Sequence, residues 1–246
     1  MKLKAILFDL DGTLLPMDQD VFVGSYFKLL AKKLAPYGYD SEQLIPAIYK
    51  GTAAMVMNDG TMTNEERFWV TFDKIMQRDA RKDEPVFAEF YENEFNQVKE
   101  VCGYTEKAKQ MIDWVKEQNI RVILATNPIF PKVATKNRAI WAGVSIDNFE
   151  HVTTYEDCSY CKPNPKYYEE ILKRQGLLPE ECLMVGNDVT EDLVAETLGM
   201  KVFLLKDCII NKEEKDIAKY PQGSFEELKE YISGLIFSKE GNSENE

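Results

Sequence analysis

The sequence predicts a doubly wound α/β fold, a parallel sheet flanked by helices, with an all-helical module inserted after the first strand. Three observations predict it. From residue 103 onward, short apolar runs alternate with amphipathic stretches, the pattern of successive βα units. Between residues 16 and 100 every periodic stretch is helical and no strand-like run intervenes. Ahead of that module stands one isolated apolar run, Ala5 to Phe8, which delivers Asp9 and Asp11 into a Gly-Thr turn.

The elements follow in order. Ala5–Phe8 reads as a buried strand, because a short apolar run ends at a turn signal. Residues 16–20 form a loop, and Val21–Leu34 is a helix that ends near Pro36 and Gly38. Ser41 is the candidate N-cap of a helix through about Met57. Thr63-Asn64-Glu65-Glu66 is a capping-box pattern that opens a helix to about Arg78. Glu84–Lys99 completes the module. Thr105–Gln118 is a helix, Ile120–Ala125 a strand, and Pro131–Trp141 a helix stopped at Gly143. His151–Thr154 is a short strand. Pro165–Gln175 is a helix with proline in its first turn, where its missing N–H costs nothing. Cys182–Val185 is a strand, Val189–Leu198 a helix, Lys201–Leu205 a strand, and Phe225–Phe237 the last helix. The boundaries are therefore an α/β core over 1–15 and 101–237, a helical module over 16–100, and a polar, disordered tail over 238–246.

Composition narrows the function. The 246 residues can bury a full core, and 44% hydrophobic with 29% charged residues describe a globular protein. No apolar stretch approaches the roughly 18 residues of a membrane span. The N-terminus runs straight into the first strand, which leaves no room for a signal peptide and favours the cytoplasm. A net charge of −12 argues against nucleic-acid binding, which needs a basic face. A phosphate site in such a chain must be positive locally. Oligomeric state is not encoded in any motif. Five cysteines suggest free thiols. Cys158 and Cys161 form a lone CxxC, readable as coincidental thiols, a redox pair or half a metal site; the single histidine, His151, lies upstream of it.

Chemistry concentrates where strands end, the place at which ligands bind in open α/β sheets. Asp9 and Asp11, at i and i+2, project to one side of their strand. Two adjacent anions need a cation, a shared proton or a role that uses their repulsion; the plainer alternative is an edge loop in water. After the second strand, Thr126 and Asn127 offer a hydroxyl and an amide to a phosphoryl oxygen, or form an ordinary turn. Lys162, stiffened by Pro163 and Pro165, is a fixed cation for a phosphate, or a solvated lysine. After Gly186, Asn187, Asp188 and Asp192 offer oxygen ligands to a hard cation such as Mg2+; helix capping by Asp188 is the alternative.

Together these segments resemble the haloacid dehalogenase (HAD) superfamily of phosphatases and phosphotransferases. Asp9-Leu10-Asp11-Gly12-Thr13-Leu14 resembles its nucleophile motif, Thr126 its second motif, Lys162-Pro163-Asn164-Pro165 its third, and Asp188 with Asp192 its acidic fourth. Many members carry Gly-Asp where this chain has Gly186-Asn187, with the acid one place later at Asp188. The resemblance implies a HAD-like Rossmannoid core, and makes residues 16–100 similar to a C1 cap. It implies Asp9 as nucleophile and Asp11 as acid/base, with Mg2+ bound by Asp9, the Asp11 carbonyl and Asp188. Asn187 and Asp192 then support the metal, while Thr126, Asn127 and Lys162 hold phosphate. The implied activity is Mg2+-dependent hydrolysis of a small phosphorylated metabolite. Asp11 argues against dehalogenation, because a leaving halide needs no proton. A phosphomutase uses the same core, and a non-catalytic binding protein on this fold is a further alternative. Lys50, Arg67 and Trp69 are substrate-reading candidates by side-chain type only, against plainer readings as surface charges and a packing aromatic.

Overall fold

The computed structural model describes residues 2–237. Six strands, β1 (Ala5–Phe8), β2 (Arg121–Leu124), β3 (His151–Val152), β4 (Cys182–Gly186), β5 (Lys201–Leu205) and β6 (Gln222–Gly223), form one sheet. Every pairing is parallel, in the order β3-β2-β1-β4-β5-β6. The chain fills one side of β1 with β2 and β3, then crosses to the other with β4. This reversal opens a crevice at the carboxyl ends of the central strands, the ligand position of doubly wound sheets.

Register sets the site. Phe8 pairs with Leu124 on one side and with Val185 on the other, so the three central strands end almost level. Side chains alternate across the sheet. Ile6, Phe8, Leu124 and Val185 face one apolar cluster, while Ala5, Leu7, Ile123 and Met184 face another built on Tyr167, Tyr168 and Ile171. Both faces of the central strands are thus covered, as all-parallel sheets require.

Between β1 and β2 lie α1 (Gln19–Leu34), α2 (Ser41–Val56), α3 (Asn64–Met76) and α4 (Glu84–Glu92). Their buried aromatics, among them Tyr26, Trp69, Phe72, Phe87 and Phe90, belong to the same cluster as Ile6 and Phe8. Four more helices complete the fold: α5 (Glu106–Glu117), α6 (Lys132–Trp141), α7 (Pro165–Gln175) and α8 (Phe225–Phe237).

Three local expectations need correction. The N-cap of α2 is Asp40, whose carboxylate accepts from the Glu42 N–H, and not Ser41. The helix expected over 84–99 stops at Glu92, and a 3₁₀ segment runs over Glu94–Val101. Asn93 and Asn96 donate side-chain hydrogen bonds to the carbonyls of Glu89 and Glu92 (both 2.9 Å), competing with the helix ladder. The helix expected over 189–198 is a turn followed by 3₁₀ geometry at Leu193–Leu198. The capping box at Thr63 and Glu66 is present as expected. No described helix is long and apolar enough to cross a membrane. The tail expected over 238–246 lies outside the described residues.

Candidate active site

Asp9 follows β1 directly, and its N–H donates to the Val185 carbonyl (2.9 Å), continuing the strand by one residue. The chain then turns tightly, with Gly12 N–H donating to Leu15 O and Leu15 N–H to Leu10 O (both 2.8 Å). Gly12 has φ +84°, and a Cβ there would collide with the Asn187 side chain. Glycine is needed both for the turn and for the close approach of the β4 loop. Thr13 joins the two loops, its hydroxyl lying 2.9 Å from Asn187 Oδ1 and 3.3 Å from Asp9 Oδ2.

Lys162 is 1% exposed. Its Nζ donates to Asp9 Oδ1 (2.9 Å) and to Asp192 Oδ1 (2.7 Å). Burying a cation is costly unless it is paired, and here two carboxylates pair it. The solvated-lysine alternative is excluded by this geometry. The other oxygen of Asp192 accepts from the backbone N–H groups of Asn187 (3.0 Å) and Asp188 (2.9 Å). Asp188 Oδ1 accepts from the N–H groups of Thr190 (2.8 Å) and Glu191 (2.9 Å). These bonds hold residues 187–192 as a turn rather than a helix. Gly186 lets Asp192 fold back, since a Cβ there would strike that carboxylate.

Thr126 is buried, its carbonyl accepting from the Thr153 hydroxyl (2.6 Å) and the Tyr167 hydroxyl (2.9 Å). Its own hydroxyl makes no hydrogen bond among the described residues. Asn127 accepts from the Lys162 N–H (3.2 Å) and donates to Glu191 Oε1 (3.0 Å). Asp9, Asp11, Thr126, Asn127, Asn187, Asp188, Glu191 and Asp192 all line one cavity of about 150 Å³. The residues singled out at three separate strand ends therefore converge.

Sequence reasoning missed Arg138. It is fully buried in α6 and pairs through Nη1 with Asp11 Oδ2. Its guanidinium carbon stacks 4.4 Å from the Phe130 ring centroid, and its Nε reaches the Ala134 carbonyl at 3.3 Å. Asp11 Oδ1 is buried without a partner among the described residues. The pairing thus clamps one oxygen of Asp11 and leaves the other without a hydrogen bond among the described residues. An arginine on the buried face of an amphipathic helix was the only signal for it. Glu191 was missed as well, because in the expected helix it reads as a first-turn acid favoured by the helix dipole.

The electrostatics of this cavity call for a cation. Burial pushes the Asp9 carboxyl up to about 7, against the opposing pull of Lys162, and Asp192 and Asp11 raise it further. Burial likewise pushes Glu191 up to about 8, although its side chain keeps some exposure. The donors facing the cavity are oxygens, which suit a hard ion such as Mg2+. Among the described residues no three His, Cys, Asp or Glu side chains form a ready cage. A site of two carboxylates and a backbone carbonyl needs no such cage, and the residues present fit one.

Other candidates lie elsewhere. Lys50 is exposed, and Arg67 donates to Asp59 (2.8 Å) and Asn58 (3.2 Å) on the surface of the helical segment. Trp69 is buried against an apolar cavity beside the site. Cys158 and Cys161 are buried free thiols. Burial pushes Cys158 up to about 12 and raises Cys161 too, which keeps both protonated and unreactive.

Known proteins share this layout. The family model described as haloacid dehalogenase-like hydrolase matches residues 3–195. Pyrophosphatase PpaX of Bacillus cereus (strain AH820) is 26% identical over 206 residues, 82% of each chain. A HAD phosphatase from Thermococcus onnurineus has the same fold, with a TM-score of 0.59 at 19% identity over 94% of this chain and 98% of that one. So does YfnB from Bacillus subtilis, solved bound to magnesium, with a TM-score of 0.57 at 19% identity over 95% and 100% of the two chains. The family match runs from the residues before β1 past the turn that holds Asp188 and Asp192, and the chain is a hydrolase belonging to the haloacid dehalogenase-like family.

Proposed function

We propose that the protein is a Mg2+-dependent phosphatase that hydrolyses a small phosphorylated metabolite through an aspartyl-phosphate on Asp9. The observation that carries this reading is the convergence of Asp9, Asp11, Asp188 and Thr126 on one cavity, with Lys162 paired to Asp9 behind it. The similarity to a named pyrophosphatase supports it.

An oxygen of Asp9 attacks phosphorus while the bond from phosphorus to the leaving oxygen breaks. Asp11 gives its proton to the leaving alkoxide. In the second step Asp11, now a carboxylate, takes a proton from water. That water attacks phosphorus, the bond to Asp9 breaks, and orthophosphate leaves. Lys162 and the Thr126 hydroxyl face the phosphoryl oxygens and offset their charge in the transition state. Asn127 braces the Lys162 loop and offers its amide to the same oxygens. Bound by the carboxylates of Asp9 and Asp188 and the Asp11 carbonyl, Mg2+ would add positive charge there and favour ionised Asp9. Asn187 and Asp192 orient that set, Asn187 through Thr13 and Asp192 through the backbone of its own turn.

Residues 16–100 act as a cap over the core formed by 1–15 and 101–237, and exclude water when substrate is bound. The substrate is a small molecule and not a nucleic acid, in keeping with the net charge of −12. The test is orthophosphate release from a panel of phosphate monoesters with Mg2+, in parallel with Asp9→Asn. Release that needs both Mg2+ and Asp9 is expected. A wild-type protein that binds Mg2+ and turns over no ester contradicts the reading.

A further inference from the structure

A second cavity, also of about 150 Å³, adjoins the catalytic one. Residues Val23, Ile129 and Phe130 line both, so the two cavities are neighbours that meet at these three side chains. The second cavity lies between α1–α4 and the loops after β2 and β3. Its walls include Tyr26, Phe27, Phe68, Trp69, Phe87 and Tyr155, and among the described residues no Asp, Glu, Lys, Arg or His lines it. The hydroxyls of Tyr26 and Tyr91 satisfy each other at 2.8 Å and present no charge.

From this juxtaposition we infer that the enzyme's substrates are phosphate monoesters of uncharged, apolar alcohols, whose carbon body occupies the aromatic cavity while phosphorus sits at Asp9. The inference rests on the phosphatase reading and narrows it. A second phosphate or a carboxylate on the leaving group would enter this space without a counter-charge, at the full cost of desolvation. Neither Lys50 nor Arg67 can supply one, since neither lines the cavity. A cavity of this volume accepts a benzene-sized group. Phenyl, benzyl and short alkyl bodies therefore match it in size and chemistry.

The test compares kcat/KM for methyl, butyl, hexyl and benzyl phosphates with that for phosphoglycolate and pyrophosphate. Burial of each added methylene is expected to raise kcat/KM about fourfold until the cavity fills. The charged substrates fall below the hexyl and benzyl esters. Thr52 lines the cavity from α2, and Thr52→Trp, which fills it, is expected to flatten the dependence on chain length. A second measurement uses calorimetry with non-hydrolysable phosphonates. Hexylphosphonate is expected to bind at least about tenfold tighter than methylphosphonate.

Asp9-dependent release that is flat with chain length, or fastest on the charged substrates, overturns the inference and leaves the phosphatase reading standing. A slope that survives in folded Thr52→Trp overturns the assignment to this cavity. If Thr52→Trp does not fold, equal binding of the two phosphonates overturns it instead. Absence of Asp9-dependent release from every substrate overturns the phosphatase reading, and the inference falls with it.

Discussion

At the residue scale, the two aspartates of the first turn have different partners. Asp9 meets Lys162 and Thr13, whereas Asp11 meets Arg138. The i and i+2 spacing made them neighbours, but the partners that distinguish them come from residues far along the chain. Lys162 was legible because prolines mark its loop. Arg138 was not, because its place on the apolar face of α6 was the only sign of burial and nothing nearby in sequence marked its partner. Asp9→Asn is expected to lower kcat by about 10⁴-fold or more, since it removes the proposed nucleophile. Arg138→Met leaves Asp11 without its cation in a largely buried place. It is expected to destabilise by about 3 kcal/mol, read from denaturant midpoints. Its effect on rate should depend on the leaving group, with alkyl phosphates slowed at least about tenfold more than 4-nitrophenyl phosphate. Equal slowing of both would mean that Arg138 does not position the acid.

At the element scale, the first five strands and the capped helices were legible, whereas the two-residue β6 and the functional turn were not. β5, α7 and α8 carry the expected limits, because apolar period and punctuation agree there. The stretch after β4 reads as a helix by composition, yet Asp188 and Asp192 spend their carboxylates on backbone N–H groups and hold it open. Site geometry overrides propensity at this point. The start of α3 ties the helical segment to the core. Asn64, fully buried, donates to the carbonyls of Pro128 (3.2 Å) and Tyr160 (3.3 Å) and to Cys161 Sγ (3.3 Å). Thr63→Ala, which removes only the cap, should cost about 1 kcal/mol. Asn64→Ala leaves buried acceptors unmatched and should cost about 2 kcal/mol. The two are separable by denaturant unfolding, and a larger loss for Thr63→Ala would contradict this account of the contact.

At the scale of the whole molecule, the carboxylates around the sheet's switch point link stability to pH and, under the proposed function, to Mg2+. Asp9 and Glu191 have folded-state pKa values raised to about 7 and about 8 from 3.8 and 4.5. The folded state therefore binds these protons more tightly than the unfolded one. Their contribution is fully present below about pH 4 and is lost as pH rises through about 7 to 8. In chelator, Tm should fall between about pH 5 and about pH 8.5. Mg2+ should raise Tm more at the upper end, where the carboxylates are ionised. A larger effect of Mg2+ at pH 5 would contradict the linkage. The parallel sheet and the helical insertion were legible because strand-helix alternation persists over most of the chain. The aromatic cavity was not, since its walls come from four helices and two loops.

The central claim is that Asp9 takes the phosphoryl group, and rapid acid quench during turnover followed by peptide mass spectrometry tests it most directly. A phosphoryl adduct is expected on the peptide that contains Asp9, and is expected to be absent from Asp9→Asn. An adduct on another residue, or phosphate release by Asp9→Asn at the wild-type rate, would contradict the account.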